Sequence, residues 1–203
     1  MNQINIFKTE KEKLRLAVIE HDYEPPSLTI VDATDGDVGN QIYIKKKIED
    51  IPSYFDCDGL TKNALVLPAT VRGIIDYLDD CSFDYAGKTA VVLGRSNIVG
   101  KPMAKALLDR DMTHSKTNYG DKEYNADLVI CATGQPQSIH REQCESAIVV
   151  DVGISRLNGK IVGDFVEDEN NIVREAWSTP VPGGVGLLTR LGLMKNCLDL
   201  KVL

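Results

Sequence analysis

The stretch TAVVLGRSNIVGKP, residues 89–102, decides the fold. Its first part, TAVVLG (89–94), is a short apolar run that ends in glycine, which is typical of a buried parallel strand. The residues that follow predict a helix over 98–109, because apolar side chains recur there on one helical face. The inward-facing positions of that helix are Met103, Ala106 and Leu107.

The turn between this strand and this helix is a candidate nucleotide site. A strand that ends in glycine and leads through a tight turn into a helix is the setting of a dinucleotide-binding motif. The first amides of such a helix point outward, and its dipole favours a phosphate there. The turn departs from G-x-G-x-x-G, because Ser96 stands at the second glycine and Gly100 falls one place late. A glycine turn without a ligand is therefore an equal alternative on this pattern alone.

The segments around this unit predict an α/β fold. Two more apolar runs follow, ADLVICATG (126–134) and AIVVDVGI (147–154), and a helix is predicted over 70–80. Strands that alternate with helices favour βαβ units and a parallel sheet covered on both faces. We expect a Rossmann-like parallel-sheet nucleotide-binding domain at 68–186, preceded by a small, truncated α/β N-terminal lobe at 1–67.

That first lobe carries weaker patterns. A helix is predicted over 8–20, a strand over 27–33 and a helix over 41–50. A lone core of fewer than about 70–80 residues rarely supplies more than roughly 3–5 kcal/mol. We therefore expect the lobe to dock on the larger domain, helped by the last helix, 187–203, with a ligand cleft between the two.

Composition excludes several classes of protein. The 203 residues are 43% hydrophobic, with a formal net charge of −7, which opposes non-specific nucleic-acid binding. No apolar run approaches the roughly 20 residues of a membrane span, and a signal peptide is not expected in the charged segment at residues 1–20. Five scattered cysteines and three histidines form no zinc pattern, so no metal is expected. Free thiols favour a reducing, cytoplasmic setting.

The region after the glycine turn indicates which nucleotide is bound. NAD sites usually place an acidic residue about 20 positions after that turn, where it holds the ribose hydroxyls. Here the sequence has His114, Ser115 and Lys116, which are donors and a cation, and no acid. Together with Arg95 they favour a 2′-phosphate, and hence NADP over NAD. The alternative is a solvated loop.

Three other groups are candidates for chemistry. Tyr43 and Lys47 lie at i and i+4 of a predicted helix, where a lysine beside an aromatic ring can serve in proton transfer, although a lysine run is usually a solvated face. Asp58 follows in the segment FDCDGL and is equally compatible with a turn. The loop TPVPGGVG (179–186) has two prolines and three glycines, so its backbone can approach another molecule closely.

Taken in order, these segments resemble the bifunctional methylenetetrahydrofolate dehydrogenase/methenyltetrahydrofolate cyclohydrolase family. The resemblance covers nearly all of 68–203, is thin over 1–67, and is most specific in two of the motifs. The matching motifs are YIKKK (43–47), CDGL (57–60), LPATVRGIIDYL (67–78), GRSNIVGKPMAKALL (94–108), HSKT (114–117), ADLVICATGQP (126–136), VVDVGIS (149–155) and TPVPGGVGLLT (179–189), the specific ones being GRSNIVGKP and TPVPGGVG.

The resemblance implies two reactions in one cleft and a homodimer. NADP⁺ takes a hydride from methylenetetrahydrofolate, and water then opens the methenyl product to formyltetrahydrofolate. Lys47 would assist water attack, Tyr43 would pack beside the folate ring system and Asp58 would hydrogen-bond the pterin. The residues implied to contact cofactor are Gly94, Arg95, Ser96, Ile98, His114, Ser115, Lys116, Thr133, Gly134 and Ile154, and those implied near the junction with substrate are Pro182, Gly183, Gly184 and Val185.

The sequence also departs from the family. Lys47 and Asp58 are only eleven positions apart (58 − 47), so a long stretch that the family carries between them is largely absent. The glutamine that contacts the catalytic lysine in the family has no counterpart in this sequence either. Without that partner the pKa of Lys47 is expected to stay nearer an ordinary lysine value. Cyclohydrolase activity is therefore the less expected half.

Two alternatives follow from these departures. The first is a catalytically degenerate NADP-binding or regulatory protein of the same fold, which would bind NADP⁺ and no tetrahydrofolate. The second is a dehydrogenase that acts on another small metabolite.

Overall fold

The computed structural model describes Thr9, Glu12 and Lys13, and then residues 56–61, 63–114, 120, 122–144, 147–167 and 177–202. The three isolated residues are helical and fall within the predicted helix at 8–20. The other elements predicted before residue 56 lie outside the described residues, as do the site candidates Tyr43, Lys47, Ser115 and Lys116.

A parallel sheet forms the centre of the fold, as the alternating apolar runs predict. Its strands are β1 (Thr89–Leu93), β2 (Thr113–His114), β3 (Leu128–Cys131) and β5 (Ile148–Asp151), in the spatial order β2-β1-β3-β5. All three pairings are parallel, and Leu93, Cys131 and Asp151 stand in register at the carboxyl edge. The strand order reverses between β1 and β3, which is where open α/β sheets bind ligands.

Short elements and one hairpin complete the sheet region. β4 (Ile139–His140) pairs in parallel with β8 (Phe165–Val166), and a 3₁₀ turn spans Arg141–Cys144. β6 (Ser155–Leu157) and β7 (Lys160–Val162) form an antiparallel hairpin.

Three helices are described: α1 (Ala69–Asp80), α2 (Gly100–Leu108) and α3 (Val185–Val202). The start of α2 differs from the predicted residue 98, because residues 97–99 form a turn. The Ser96 hydroxyl accepts hydrogen bonds from the amides of Val99 and Gly100, at 3.1 and 3.3 Å, and so closes the turn that precedes the helix. Within the part of the chain that the structure describes, no helix is long and apolar enough to cross a bilayer.

The hydrophobic core lies on both faces of the sheet, because side chains alternate along each strand. Alternate strand residues pack under α1 and α2, where Met103, Ala106 and Leu107 are buried as predicted. The intervening residues face a second cluster that includes Tyr124, Ile139 and Cys144. This sandwich holds the carboxyl edge of the strands in a fixed position.

Two glycines let α1 and α3 pack closely. A Cβ on Gly73 would stand 2.1 Å from the carbonyl oxygen of Leu188, and one on Gly192 would stand 2.1 Å from that of Ala69. Buried Asn196 of α3 also donates to the carbonyls of Cys57 and Leu67, at 2.8 Å each. The last helix thus holds the segment 57–67 against the larger domain, while the domain boundary at residue 67 stays a prediction.

Candidate functional site

Gly94 brings the end of β1 against the end of β3. Its φ is +143°, and a Cβ on it would stand 2.2 Å from the carbonyl oxygen of Ala132. A Cβ on Gly100 would stand 2.3 Å from the carbonyl oxygen of Gly94. Both glycines are therefore needed for this close crossing at the carboxyl edge of the sheet.

The turn after Gly94 is open to solvent. Arg95, Ser96 and Ile98 are all exposed, the last by 53%. The expectation that the first amides of α2 point outward is corrected, because Ser96 accepts from those of Val99 and Gly100. A ligand at this turn therefore meets the exposed cation of Arg95 and the hydroxyl of Ser96.

His114 ends the short edge strand β2. Its ring nitrogen Nε2 lies 2.9 Å from the carbonyl oxygen of Ala104 in α2, and because a carbonyl only accepts, Nε2 is the donor. The half-buried ring is thus tied to α2, and Nδ1 is the nitrogen left for another partner. This contact places His114 beside the helix that follows the glycine turn.

Thr133 and Gly134 form the turn that follows β3. The carboxylate oxygen Oδ2 of Asp164 accepts three hydrogen bonds there, from the amide of Thr133 at 2.7 Å, its hydroxyl at 2.8 Å and the amide of Gly134 at 2.9 Å. These bonds turn the amides away from the sheet ladder. The predicted strand 126–134 therefore ends at Cys131.

A second carboxylate, Asp151 at the end of β5, supports the first. Its Oδ1 accepts from the amides of Gly153 and Asp164, at 2.9 and 3.1 Å, and its Oδ2 accepts from that of Phe165 at 3.0 Å. Its own amide donates to the hydroxyl of Thr179 at 2.8 Å. The pKa of Asp151 is raised, mainly by burial and further by the nearby charge of Asp164. The hydrogen bonds from the three amides act in the opposite direction and limit the rise.

Sequence reasoning missed Asp151 and Asp164 as site residues, and it included Thr179 only as the first residue of the loop 179–186. Asp151 carried a visible signal, since an acid interrupts the apolar run AIVVDVGI (147–154). Asp164 carried none, because its partners lie about thirty positions earlier in the chain.

A pocket of about 190 Å³ opens at the same edge of the sheet. Ile154 lines it from the end of β5, and residues 180–187 line it from the loop that leads into α3. A Cβ on Gly186 would stand 3.9 Å from Cδ1 of Ile154. The structure thus brings together these predicted site residues: Ile154, Pro182, Gly183, Gly184 and Val185.

Asp58 lies in the turn before α1. Its backbone carbonyl accepts from the amide of Ala69 at 3.0 Å, and the residue is exposed overall. Partial burial, and then repulsion from nearby Asp56, raise its pKa. Gly59 beside it has a φ of +69° and packs against the backbone of Leu67, which fixes the turn. Asp58 is not among the residues that line the pocket of Ile154.

Comparison with known proteins identifies relatives over most of the chain. Residues 68–202 match the sequence profile described as tetrahydrofolate dehydrogenase/cyclohydrolase, NAD(P)-binding domain. The bifunctional protein FolD of Clostridium novyi is 49% identical over 142 residues, which are 66% of this chain and 51% of that protein. FolD of Lactobacillus acidophilus is 38% identical over 205 residues, covering 94% of this chain and 72% of that protein. The chain spans about half the length of the first relative.

Solved structures of FolD enzymes are also similar to this chain. The chain is similar to the bifunctional enzyme FolD, methylenetetrahydrofolate dehydrogenase/cyclohydrolase, from Campylobacter jejuni, with a TM-score of 0.65, 36% identity, and 75% of this chain and 60% of that chain covered. The Trypanosoma brucei enzyme, whose structure is complexed with NADP cofactor and inhibitor, aligns with a TM-score of 0.63 and 27% identity, over 93% of this chain and 71% of that chain.

Proposed function

The chain belongs to the tetrahydrofolate dehydrogenase/cyclohydrolase family, and on that premise we propose that it oxidises methylenetetrahydrofolate to methenyltetrahydrofolate with NADP⁺. Hydrolysis of the methenyl product to formyltetrahydrofolate is proposed as its second reaction. The observation that carries the first reaction is the pocket shared by Ile154 and the loop 180–187, at the carboxyl edge of the sheet. A ligand there touches both the nucleotide domain and the loop into the last helix.

The residues of the carboxyl edge fit a dinucleotide. A Cβ on Gly134 or on Gly183 would meet no atom within 4 Å, so the backbone at both positions is open to a ligand. Arg95 and Ser96 are exposed beside the crossing at Gly94 and would hold phosphate or ribose oxygens. Thr133 and Gly134 would face the nicotinamide end, with Ile154 packing against it. The bound nicotinamide supplies the hydride acceptor, and the residues align the donor carbon with it.

The folate side of the proposal rests on Asp58 in its fixed turn, together with Tyr43 and Lys47. The Asp58 carboxylate accepts hydrogen bonds, which suits the N–H groups on the edge of a pterin. Lys47 would assist the water that opens the methenyl product, and Tyr43 would pack on the ring system.

We also propose that the chain works as a homodimer in the cytoplasm. The five cysteines form no disulfide, which suits a reducing setting. Light scattering on the eluted peak of a sizing column measures the mass, and a peak with the mass of one chain would refute the dimer.

A single time course tests the proposed function. Purified protein is mixed with methylenetetrahydrofolate and NADP⁺, and the methenyl product and NADPH are measured separately against a reaction without protein. We expect NADPH and methenyl product to rise together, and the methenyl product to decay faster than in buffer if the second reaction operates. Calorimetric binding of NADP⁺ with no NADPH formed would instead support the degenerate binding protein. NADPH formed only with another metabolite would support the alternative of a dehydrogenase that acts on another small metabolite.

A further inference from the structure

The two buried aspartates form a relay under the carboxyl edge of the sheet. Asp164 is fully buried and Asp151 is 3% exposed. Asp164 bonds the turn after β3, Asp151 bonds the amide of Asp164, and Thr179 bonds the amide of Asp151. Three separate segments of the edge, each with a residue proposed to contact ligand, are thereby joined through side-chain oxygens.

Asp164 also holds the rest of the loop after β3. Its backbone carbonyl accepts from the amides of Ser138 and Ile139, at 2.8 and 3.0 Å, and the carbonyl of Gly163 accepts from that of Gln137 at 2.9 Å. The loop from residue 133 to residue 139 is thus anchored at both ends by the segment 163–164.

The carboxylate of Asp164 is held in one orientation. Its second oxygen, Oδ1, packs where a Cβ of Gly153 would stand only 2.3 Å away, and it has no hydrogen-bond partner among the described residues. The supporting carboxylate is packed in the same way, since a Cβ on Gly163 would stand 1.8 Å from Oδ2 of Asp151. The three donors of the turn after β3 converge on the single oxygen Oδ2 of Asp164, and these bonds fix the orientation of its carboxylate.

We propose that Asp164 is a positioning residue for the dinucleotide, holding the Thr133–Gly134 turn in its ligand-binding shape through Oδ2, with Asp151 as its support. This inference rests on the proposed binding of NADP⁺. Charge-assisted hydrogen bonds are about twice as strong as neutral ones, so a carboxylate fixes the turn better than an amide does. A turn ordered before binding spares the ligand the free energy of ordering it.

The test compares Asp164→Asn and Asp164→Ala with a matched control. Asp127→Asn alters an aspartate whose Oδ2 accepts from the amide of Thr89 at 2.8 Å, at the opposite, amino edge of the same sheet. The dissociation constant of NADP⁺ and the unfolding midpoint are measured for each protein. We expect the constant to rise about tenfold in Asp164→Asn and further in Asp164→Ala, with no change in Asp127→Asn.

Several outcomes decide the inference. An Asp164→Asn protein that is folded and binds NADP⁺ as the wild type does would overturn it, even if its unfolding midpoint falls, because that pattern is purely structural. Wild-type protein that binds no NADP⁺ would overturn the proposed function and this inference together. With methylenetetrahydrofolate as substrate, we also expect Asp164→Asn to have a higher KM for NADP⁺ than the wild type, while its KM for the folate stays within about twofold of the wild-type value.

Hydrogen exchange on the unliganded wild type keeps the inference testable if the variants do not fold. The amides of Thr133 and Gly134 donate to a buried oxygen, so both are expected to exchange far more slowly than an unstructured peptide. Exchange at the unstructured rate would show that the carboxylate does not hold the turn, and would overturn the proposal.

Discussion

Gly94→Ala perturbs the close approach between the ends of β1 and β3. The new methyl group would stand 2.2 Å from the carbonyl oxygen of Ala132, whose own amide is bonded to Leu93 at 2.8 Å. That backbone is part of the sheet and cannot move aside without breaking this bond. The substitution therefore has two unfavourable effects: the methyl group clashes with Ala132, and a residue other than glycine must adopt a φ of +143°, which such residues rarely do.

The expected cost follows from these two effects. Strained backbone of this kind costs about 1–3 kcal/mol, and overpacking against a fixed neighbour costs about 1–3 kcal/mol. Reduced freedom of the unfolded chain returns about 0.4–1 kcal/mol. Gly94→Ala should therefore lower the free energy of unfolding by about 3 kcal/mol, a large part of the stability of an ordinary domain.

Gly87→Ala is the matched control. Gly87 has a φ of +74°, but a Cβ there would meet no atom within 4 Å, so only backbone strain remains. Its cost should be about 1 kcal/mol. Urea denaturation followed by circular dichroism measures both values. Equal losses in the two variants would refute the argument that the approach to Ala132, rather than φ alone, requires glycine at residue 94.

Two further substitutions test the supports of the site. Glu167→Gln weakens the ion pair between Glu167 and Arg141, whose side chain is 2% exposed. Burial alone would raise the pKa of Glu167, but the hydrogen bonds from Arg141 and Ser178 have the larger effect, so the pKa is lowered. The ionised carboxylate therefore stabilises the fold above its unfolded pKa, and this is lost as pH falls through the folded pKa. Urea melts should show about 1–2 kcal/mol lost at pH 7, shrinking toward zero in acid, and a pH-independent difference would contradict this. Asn196→Ala leaves the carbonyls of Cys57 and Leu67 without their donor, so it should cost about 1–3 kcal/mol and expose the segment 57–67 to protease; unchanged cleavage would count against this role of Asn196.

The central sheet could be predicted from the sequence because its signal is local. β1, β3 and β5 are short apolar runs, and α1 and α2 place apolar residues on one face, so the type of these elements and their order along the chain follow from the sequence pattern, whereas the two-residue strand β2 was not predicted. The residues at which these helices and strands begin and end could not be predicted from periodicity. α2 begins at Gly100, after a turn closed by the hydroxyl of Ser96, and β3 ends at Cys131, shortly before Asp164 takes the amides of Thr133 and Gly134. Both are contacts of single side-chain oxygens, which periodicity does not encode.

The candidate site was predicted where a motif carries it and missed where tertiary contacts carry it. Ile154 and the loop 180–187 come together as their position at strand and helix ends suggests. Asp164 follows a glycine in an otherwise ordinary hairpin segment, and its role depends on a loop about thirty residues earlier. His114 stays a predicted phosphate ligand: its Nε2 is bonded to Ala104, a contact that the spacing did not indicate, and Nδ1 is the nitrogen left for a ligand.

Direct hydride transfer tests the central claim most directly. Methylenetetrahydrofolate deuterated at its methylene carbon is incubated with the purified chain and NADP⁺, and the reduced cofactor is analysed by mass spectrometry. The account predicts reduced cofactor that carries one deuterium, in an amount equal to the methenyl and formyl products together. Absence of reduced cofactor, or reduced cofactor without deuterium, would contradict the claim that this chain oxidises methylenetetrahydrofolate.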